Sequence, residues 1–417
     1  MIKPRIKTEE QNIITKDKTL LAFKTGDDFV FFSLADNRIE EFLVCQGNKA
    51  SYKDIYIAIV NKYIKGIKGY FLAISDKEEV FLQEDEIGQV KLLNRKYDGS
   101  LKCGDTLPVQ IKKEAYKNKS AYGTTLFELT GSLSVVSLAK TQGQVSISKK
   151  IEDKKRTLIK DTVLSYFASK DIDISKYNIT VRTGDFATLE EIDTLLSALC
   201  YDIEEKIAFL NNIEDKCKSR ILYNKIYTDS SALYELIKDS TKIIADNKEA
   251  YDYIKEHAPE YEITLYEDSK VDLISLYGLK SKYKNIISDK VNLKNDGYIY
   301  INPTEALNVI DVNSGSAKNS KDKNQYILDV NLEAAKEIAY QIRVRNLSGI
   351  LIVDFINMKS EKDITILTKA FTSALESVKH SPKLVDITKL GLFELTRVKQ
   401  AGDIYSYKTI LDKTILR

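Results

Sequence analysis

Histidine is almost missing. The 417-residue chain holds only His257 and His380, so chemistry built on a histidine base, or on a histidine-rich metal site, has nearly no material. Cysteine is also scarce: Cys45, Cys103, Cys200 and Cys217 stand apart with no C-x-x-C pair. That spacing argues against a zinc knuckle and a disulfide framework, and it fits a reducing, cytoplasmic setting. No apolar run approaches the roughly 20 residues that span a bilayer, and residues 1–20 lack the apolar centre of an export signal. Five prolines and no Gly/Ser-rich tract leave no tether, so domains are expected to pack closely. Neither charge sign dominates, with 63 basic against 61 acidic side chains, and a net charge of +2 does not advertise a nucleic-acid binder globally, although a basic surface can be local. What is present is 43% hydrophobic and 30% charged residues, the profile of a soluble globular protein long enough for two to four domains. Carboxylates must carry most of any chemistry.

Residues 19–43 carry the short apolar runs LLAF, FVFFSL and IEEFLV, broken by Gly26-Asp27-Asp28 and Asp36-Asn37, and predict a hairpin meander. From Asp54 to about Thr130, DIYIAIV, GYFLAI, EVFL and PVQI alternate with charged turns, as in a small barrel or sandwich; an OB-like barrel is the economical expectation. Strand-like segments continue to Ile151, followed by an amphipathic helix over 156–168 and the strand NITVRT. A long packing helix is predicted from Thr188, with Thr188 and Glu191 as a capping box and Ile192, Leu195, Leu199, Ile203, Ile207 and Leu210 on one face. Beyond it, strand and helix segments alternate in a βαβ manner.

The segment richest in chemistry is GYIYINPTEALNVIDVNSGSA, then an amphipathic helix over about 325–345, then GILIVDFINM. Strand, crossover helix and strand form a right-handed parallel unit in nearly all proteins, so Asp311 and Asp354 are expected at the same sheet edge, where ligands of open α/β sheets sit. Two aspartates held together repel unless a hard cation joins them, and oxygen-only ligation suits Mg²⁺. Asn313 can orient Asp311 or a metal-bound water without adding charge. Against this stands the plainer reading, in which either aspartate alone caps a turn.

VIDVNSG, NLEAAKEIAYQIRVRNLSGILIVDFINM and LGLFELTR together resemble the catalytic core of the ribonuclease E/G family of bacterial endoribonucleases. Upstream, VQIKKEAYKNKSAYGTTLFELTG resembles the segment leaving that family's OB-type domain, and NITVRTGDF its sensor of a 5′-monophosphorylated RNA end. The resemblance implies an α+β and α/β multidomain fold. Its expected parts are a ribonuclease H-like domain in two pieces (1–50 and 219–290), an inserted OB-fold (51–125) and 5′-sensor (126–218), and a deoxyribonuclease I-like catalytic domain (291–417). It implies that Asp311 and Asp354 hold Mg²⁺, for which Mn²⁺ can substitute, with Asn313 positioning Asp311. Arg182 and Thr183 would grip the terminal phosphate, which suits a guanidinium fork beside a hydroxyl. Phe71 and Phe81 would hold a base and Lys119 would contact the backbone, as single strands are bound with little sequence readout.

The expected activity is hydrolysis of single-stranded RNA to 5′-phosphate and 3′-hydroxyl products, favouring 5′-monophosphorylated, A/U-rich substrates, in rRNA processing or mRNA decay. Departures from the family's pattern temper this expectation. No cysteine follows Cys217, so a zinc link between chains is not expected, and the chain would be a monomer or an oligomer joined without zinc. Asn357 stands where the family commonly has aspartate, and the loop after Asn313 has no basic residue until Lys318. These departures motivate a rival reading, an RNA-binding member of the family with a weakened metal site. A metal-dependent enzyme acting on DNA is a third.

Overall fold

In this computed structural model the structure describes residues 17–417 apart from 48, 89, 116–118, 132, 150, 183–191, 219–220, 305, 316–322 and 399–400. The fold is mixed α/β, with four sheets among the described residues. The N-terminal meander forms as expected, from Thr19–Thr25, Asp28–Ala35 and Arg38–Cys45, and its second turn is made by Asp36 and Asn37 at φ 48° and 60°. Two left-handed residues in a row give a turn whose twist matches that of paired strands. Lys242–Ala245 then joins Thr19–Thr25 in parallel from more than two hundred residues downstream, and Thr264–Leu265 adds outside it. Leu21, Phe23 and Phe32 pack on one face of this sheet and Leu20, Ala22 and Phe31 on the other. Burial on both faces explains why these strands read as continuous apolar runs instead of alternating ones.

The barrel closes on five strands. Ile55–Ile64, Gly69–Ala73 and Glu79–Gln83 form a meander, Ala121–Thr124 pairs in parallel with the third, and Thr106–Lys113 bridges it back to the first. This order, with its one parallel pairing, is consistent with an OB-type domain. Alternate residues Ala58, Val60, Leu72, Val80, Leu82, Leu107, Val109 and Ile111 fill the interior. A third sheet, in the order Val145–Ile147, Tyr177–Val181, Ser134–Leu138, Glu128–Thr130, is covered by the helices Asp153–Ser169 and Ile192–Asn211. The second of these buries Leu196, Leu199, Ile203, Ile207 and Leu210, close to the face read from the sequence, while Thr188 and Glu191 lie outside the described residues.

The C-terminal sheet has six strands in the order Lys290–Asn292, Tyr298–Pro303, Leu307–Asn313, Gly349–Asp354, Leu392–Arg397, Lys383–Ile387. Helices Lys323–Val344 and Glu361–Glu376 cover one face through Val330, Ala334, Ile338, Leu367 and Phe371. On the opposite face Tyr300, Ile350 and Val385 are exposed. The crossover helix makes the two central strands parallel, and it is this pairing that positions the candidate site. Among the described residues no helix is long and apolar enough to cross a membrane, and all four cysteines are free thiols.

Candidate active site

Along Leu307–Asn313 the side chains alternate strictly. Asn308, Ile310 and Val312 are buried under the helices, while Leu307, Val309, Asp311 and Asn313 are half-buried on the open face. Period-two geometry therefore places Asp311 and Asn313 on one side. In the neighbouring strand Ile350, Ile352 and Asp354 share that side. The register pairs Asp311 directly with Asp354 across two parallel strands, with Tyr300 opposite Asp311 on its other flank. Asn313 Nδ2 donates to Asp311 Oδ2 at 2.7 Å, which fixes that carboxylate without altering the local charge.

Electrostatically the pair is unbalanced. Burial, and then the charge of Asp311, raise the Asp354 carboxyl above its ordinary value. Among the described residues no group of three or more His, Cys, Asp or Glu side chains is arranged to hold a metal ion. A pair of carboxylates on an open face nonetheless fits a hard divalent cation that keeps several of its waters, because such ions are held by one or two carboxylates plus solvent and phosphate oxygens.

One residue that supports this region was missed in the sequence. Asn331, fully buried on the crossover helix, donates Nδ2 to Ile356 O at 2.8 Å and accepts Ile356 N–H on Oδ1 at 3.0 Å. The two bonds clamp the backbone just after Asp354, between Phe355 and Asn357. The available signal was an amide in an otherwise apolar helix face, flanked by Leu328, Ala334 and Ala335.

The remaining candidates fall in two other places. On the barrel, Phe71 and Phe81 are register partners with centroids 5.3 Å apart, and Tyr122 follows on the next strand at 5.8 Å from Phe81. Lys62 lies 4.9 Å over Phe71 at one end of the row and Lys113 lies 5.7 Å over Tyr122 at the other. Gly69 leaves room for this packing, since a Cβ there would sit 2.4 Å from the Phe81 ring and displace it. Tyr122 was not singled out from sequence, because it reaches the row only through the parallel insertion of the barrel's last strand. Lys119 is exposed just before that strand.

Arg182 directly follows the strand Tyr177–Val181. Its Nη1 donates to Gly131 O at 3.0 Å and lies 2.9 Å from Glu235 Oε1 on the helix Ser231–Lys238. Thr183 and Lys318 lie outside the described residues. Behind Arg182, the ammonium of the buried Lys206 meets Asp202 at 2.5 Å, and Ser134 Oγ donates to the same carboxylate at 2.6 Å. Burial lowers the Lys206 pKa, and Asp202 opposes that effect.

The model of the ribonuclease E/G family matches residues 129–400. Ribonuclease E of Synechocystis sp. is 29% identical over 389 residues, which cover 88% of this chain and 55% of the relative. A ribonuclease E/G-like protein of Pyropia yezoensis is 29% identical over 373 residues (84% of this chain, 70% of the relative). Ribonuclease G of Haemophilus influenzae is 24% identical over 377 residues (84% and 73%). The chain spans about half the length of the cyanobacterial ribonucleases E it matches. The family match takes in both aspartates, the strand leading to Arg182 and the sheet that joins the two carboxylates, and the chain belongs to the ribonuclease E/G family.

Proposed function

We propose that this chain is a metal-dependent endoribonuclease that hydrolyses single-stranded RNA to 5′-phosphate and 3′-hydroxyl products. The observation carrying this reading is the register partnership of Asp311 and Asp354, two carboxylates from distant parts of the chain on one open sheet face, close enough for the charge of Asp311 to raise the Asp354 carboxyl. Asp311 and Asp354 would hold Mg²⁺, with Mn²⁺ as a substitute, and Asn313 donates to the Asp311 carboxylate and so limits its rotation. When bound, the cation supplies an acidified water and neutralises charge developing on the scissile phosphate. Phe71, Phe81 and Tyr122 offer stacking faces to unpaired bases, with Lys62, Lys113 and Lys119 near the backbone, the combination that holds single strands with little sequence readout.

Arg182, with Thr183, is the proposed grip for a 5′-monophosphate, which anchors one end of the substrate and raises its effective concentration at the carboxylates. We assign the barrel (51–125) as the OB-fold, 126–218 as the sensor, 1–50 with 219–290 as a ribonuclease H-like domain and 291–417 as a deoxyribonuclease I-like catalytic domain. A/U-rich transcripts in rRNA processing or mRNA decay, in the cytoplasm, are the proposed setting. The test incubates the protein with 5′-monophosphorylated, A/U-rich RNA and Mg²⁺, with a DNA oligomer of the same sequence as control. RNA cleavage that is lost in Asp311→Asn and in Asp354→Asn supports the enzyme. Tight binding without cleavage under Mg²⁺ or Mn²⁺ would identify the RNA-binding alternative that Asn357 suggests.

A further inference from the structure

We propose that Glu235 is a built-in competitor for the anion site of Arg182, a carboxylate that an incoming 5′-terminal phosphate must displace. The proposal rests on the reading of Arg182 as the phosphate grip and concerns how that grip is gated. Glu235 Oε1 lies 2.9 Å from Arg182 Nη1, the same nitrogen that donates to Gly131 O. The two side chains come from separate units. Arg182 extends the sensor sheet, whereas Glu235 sits on a helix whose Leu233, Leu236 and Ile237 are packed against the N-terminal sheet.

Among the described residues two ion pairs meet here, Arg182 with Glu235 and Lys206 with Asp202. Arg182 is near enough for its charge to lower the Lys206 pKa, which Asp202 and Glu205 oppose. A phosphate monoester, carrying about −1.5 to −2 charges at neutral pH, would meet the Glu235 carboxylate on the same guanidinium nitrogen, and the repulsion between the two anions favours displacement of one of them. Asp202 is poorly suited to leave. It holds Lys206 one turn away on its own helix at 2.5 Å and accepts from Ser134 Oγ at 2.6 Å. The Glu235 carboxylate has Arg182 as its only partner among the described residues, and both side chains keep about 30% of their exposure (31% and 28%). A part-exposed pair of this kind is weak enough to open, and a phosphate offers the guanidinium more charge and more acceptor oxygens than a carboxylate does.

The experiment measures equilibrium binding of a 5′-monophosphorylated oligouridylate and its 5′-hydroxyl counterpart to the full chain. Glu235→Gln is expected to tighten binding of the monophosphorylated probe by up to about fivefold, the worth of a part-exposed ion pair, and to change the hydroxyl probe less. Glu235→Asp, which keeps the charge but shortens its reach, should fall between wild type and Glu235→Gln. The gain should vanish when Arg182→Gln is added. If Glu235→Gln and Glu235→Ala melt like the wild type and neither tightens the monophosphorylated probe, while Arg182→Gln weakens it, the competitor role is overturned and the phosphate grip stands. If Arg182→Gln leaves the preference for the monophosphorylated end unchanged, the underlying assignment of Arg182 fails instead.

Discussion

Removing one charge of the aspartate pair should stabilise the protein when no divalent cation is present. Adjacent strands lie about 4.8 Å apart, so two carboxylates in register repel by about 0.8 kcal/mol at roughly 5 Å in a water-like dielectric. Asp354 is largely exposed, and discounting for solvent screening leaves about 0.5 kcal/mol. The sign follows from its pKa. The folded protein raises the Asp354 carboxyl above its ordinary 3.8, so a penalty accumulates as pH rises from that value through the raised one and is fully present at neutral pH. Asp354→Asn should therefore melt about 1–2 °C higher than wild type in EDTA at pH 7, and the difference should disappear in acid. A cation that binds only the folded pair reverses the order, since a ligand at about 100 times its dissociation constant adds about 2.7 kcal/mol. Thermal melts with EDTA and with Mg²⁺, for both proteins, make the measurement. If the variant melts below wild type in EDTA, or if Mg²⁺ raises both proteins equally, the reasoning about the pair is refuted.

Asn313→Ala removes the 2.7 Å bond to Asp311 and should lower kcat about 10- to 100-fold, the usual cost of losing an outer partner of a metal-binding carboxylate, with RNA affinity little changed. Asn331→Ala leaves the Ile356 backbone N–H and C=O without partners and should cost about 1–3 kcal/mol in chemical denaturation, together with activity. Phe71→Ala and Phe81→Ala should each weaken single-stranded RNA binding by about 1–3 kcal/mol per stacked base, measured by fluorescence anisotropy; an unchanged affinity would remove the aromatic row from the binding surface.

Legibility followed the range over which each signal acts. The parallel pairing of the strands ending near Asp311 and Asp354 could be read because one helix joins them and the handedness of that crossover is nearly fixed. Likewise the barrel strands announced themselves by alternation, and Phe71 meets Phe81 because a short hairpin sets their register. Contacts made by elements far apart in the chain left no such trace. The pairing of Thr19–Thr25 with Lys242–Ala245, the arrival of Tyr122 beside Phe81 and the reach of Glu235 to Arg182 all depend on packing between units. Lys206 shows the same limit from another side. It occupies the buried face of a helix on which Leu199, Ile203, Ile207 and Leu210 were read and Leu196 was not, and Asp202 and Ser134 partner its ammonium there.

Charge count suits the amides that support the aspartate pair, Asn313 beside Asp311 and Asn331 behind Asp354. Two aspartates supply −2, which the proposed divalent cation would balance, so that an anionic substrate would approach a site close to neutral. A third carboxylate at the position of Asn313 would restore a net negative charge and would lack the N–H that holds Asp311. The amide of Asn331 meets the same requirement one layer deeper, where an unpaired charge would be costly: it donates and accepts at once and so holds the Ile356 backbone in a buried position without a charge of its own. Orientation and charge are thus set by different residues. That division allows Asp311 and Asp354 to stay close despite their repulsion, because the groups that hold them in place add nothing to it.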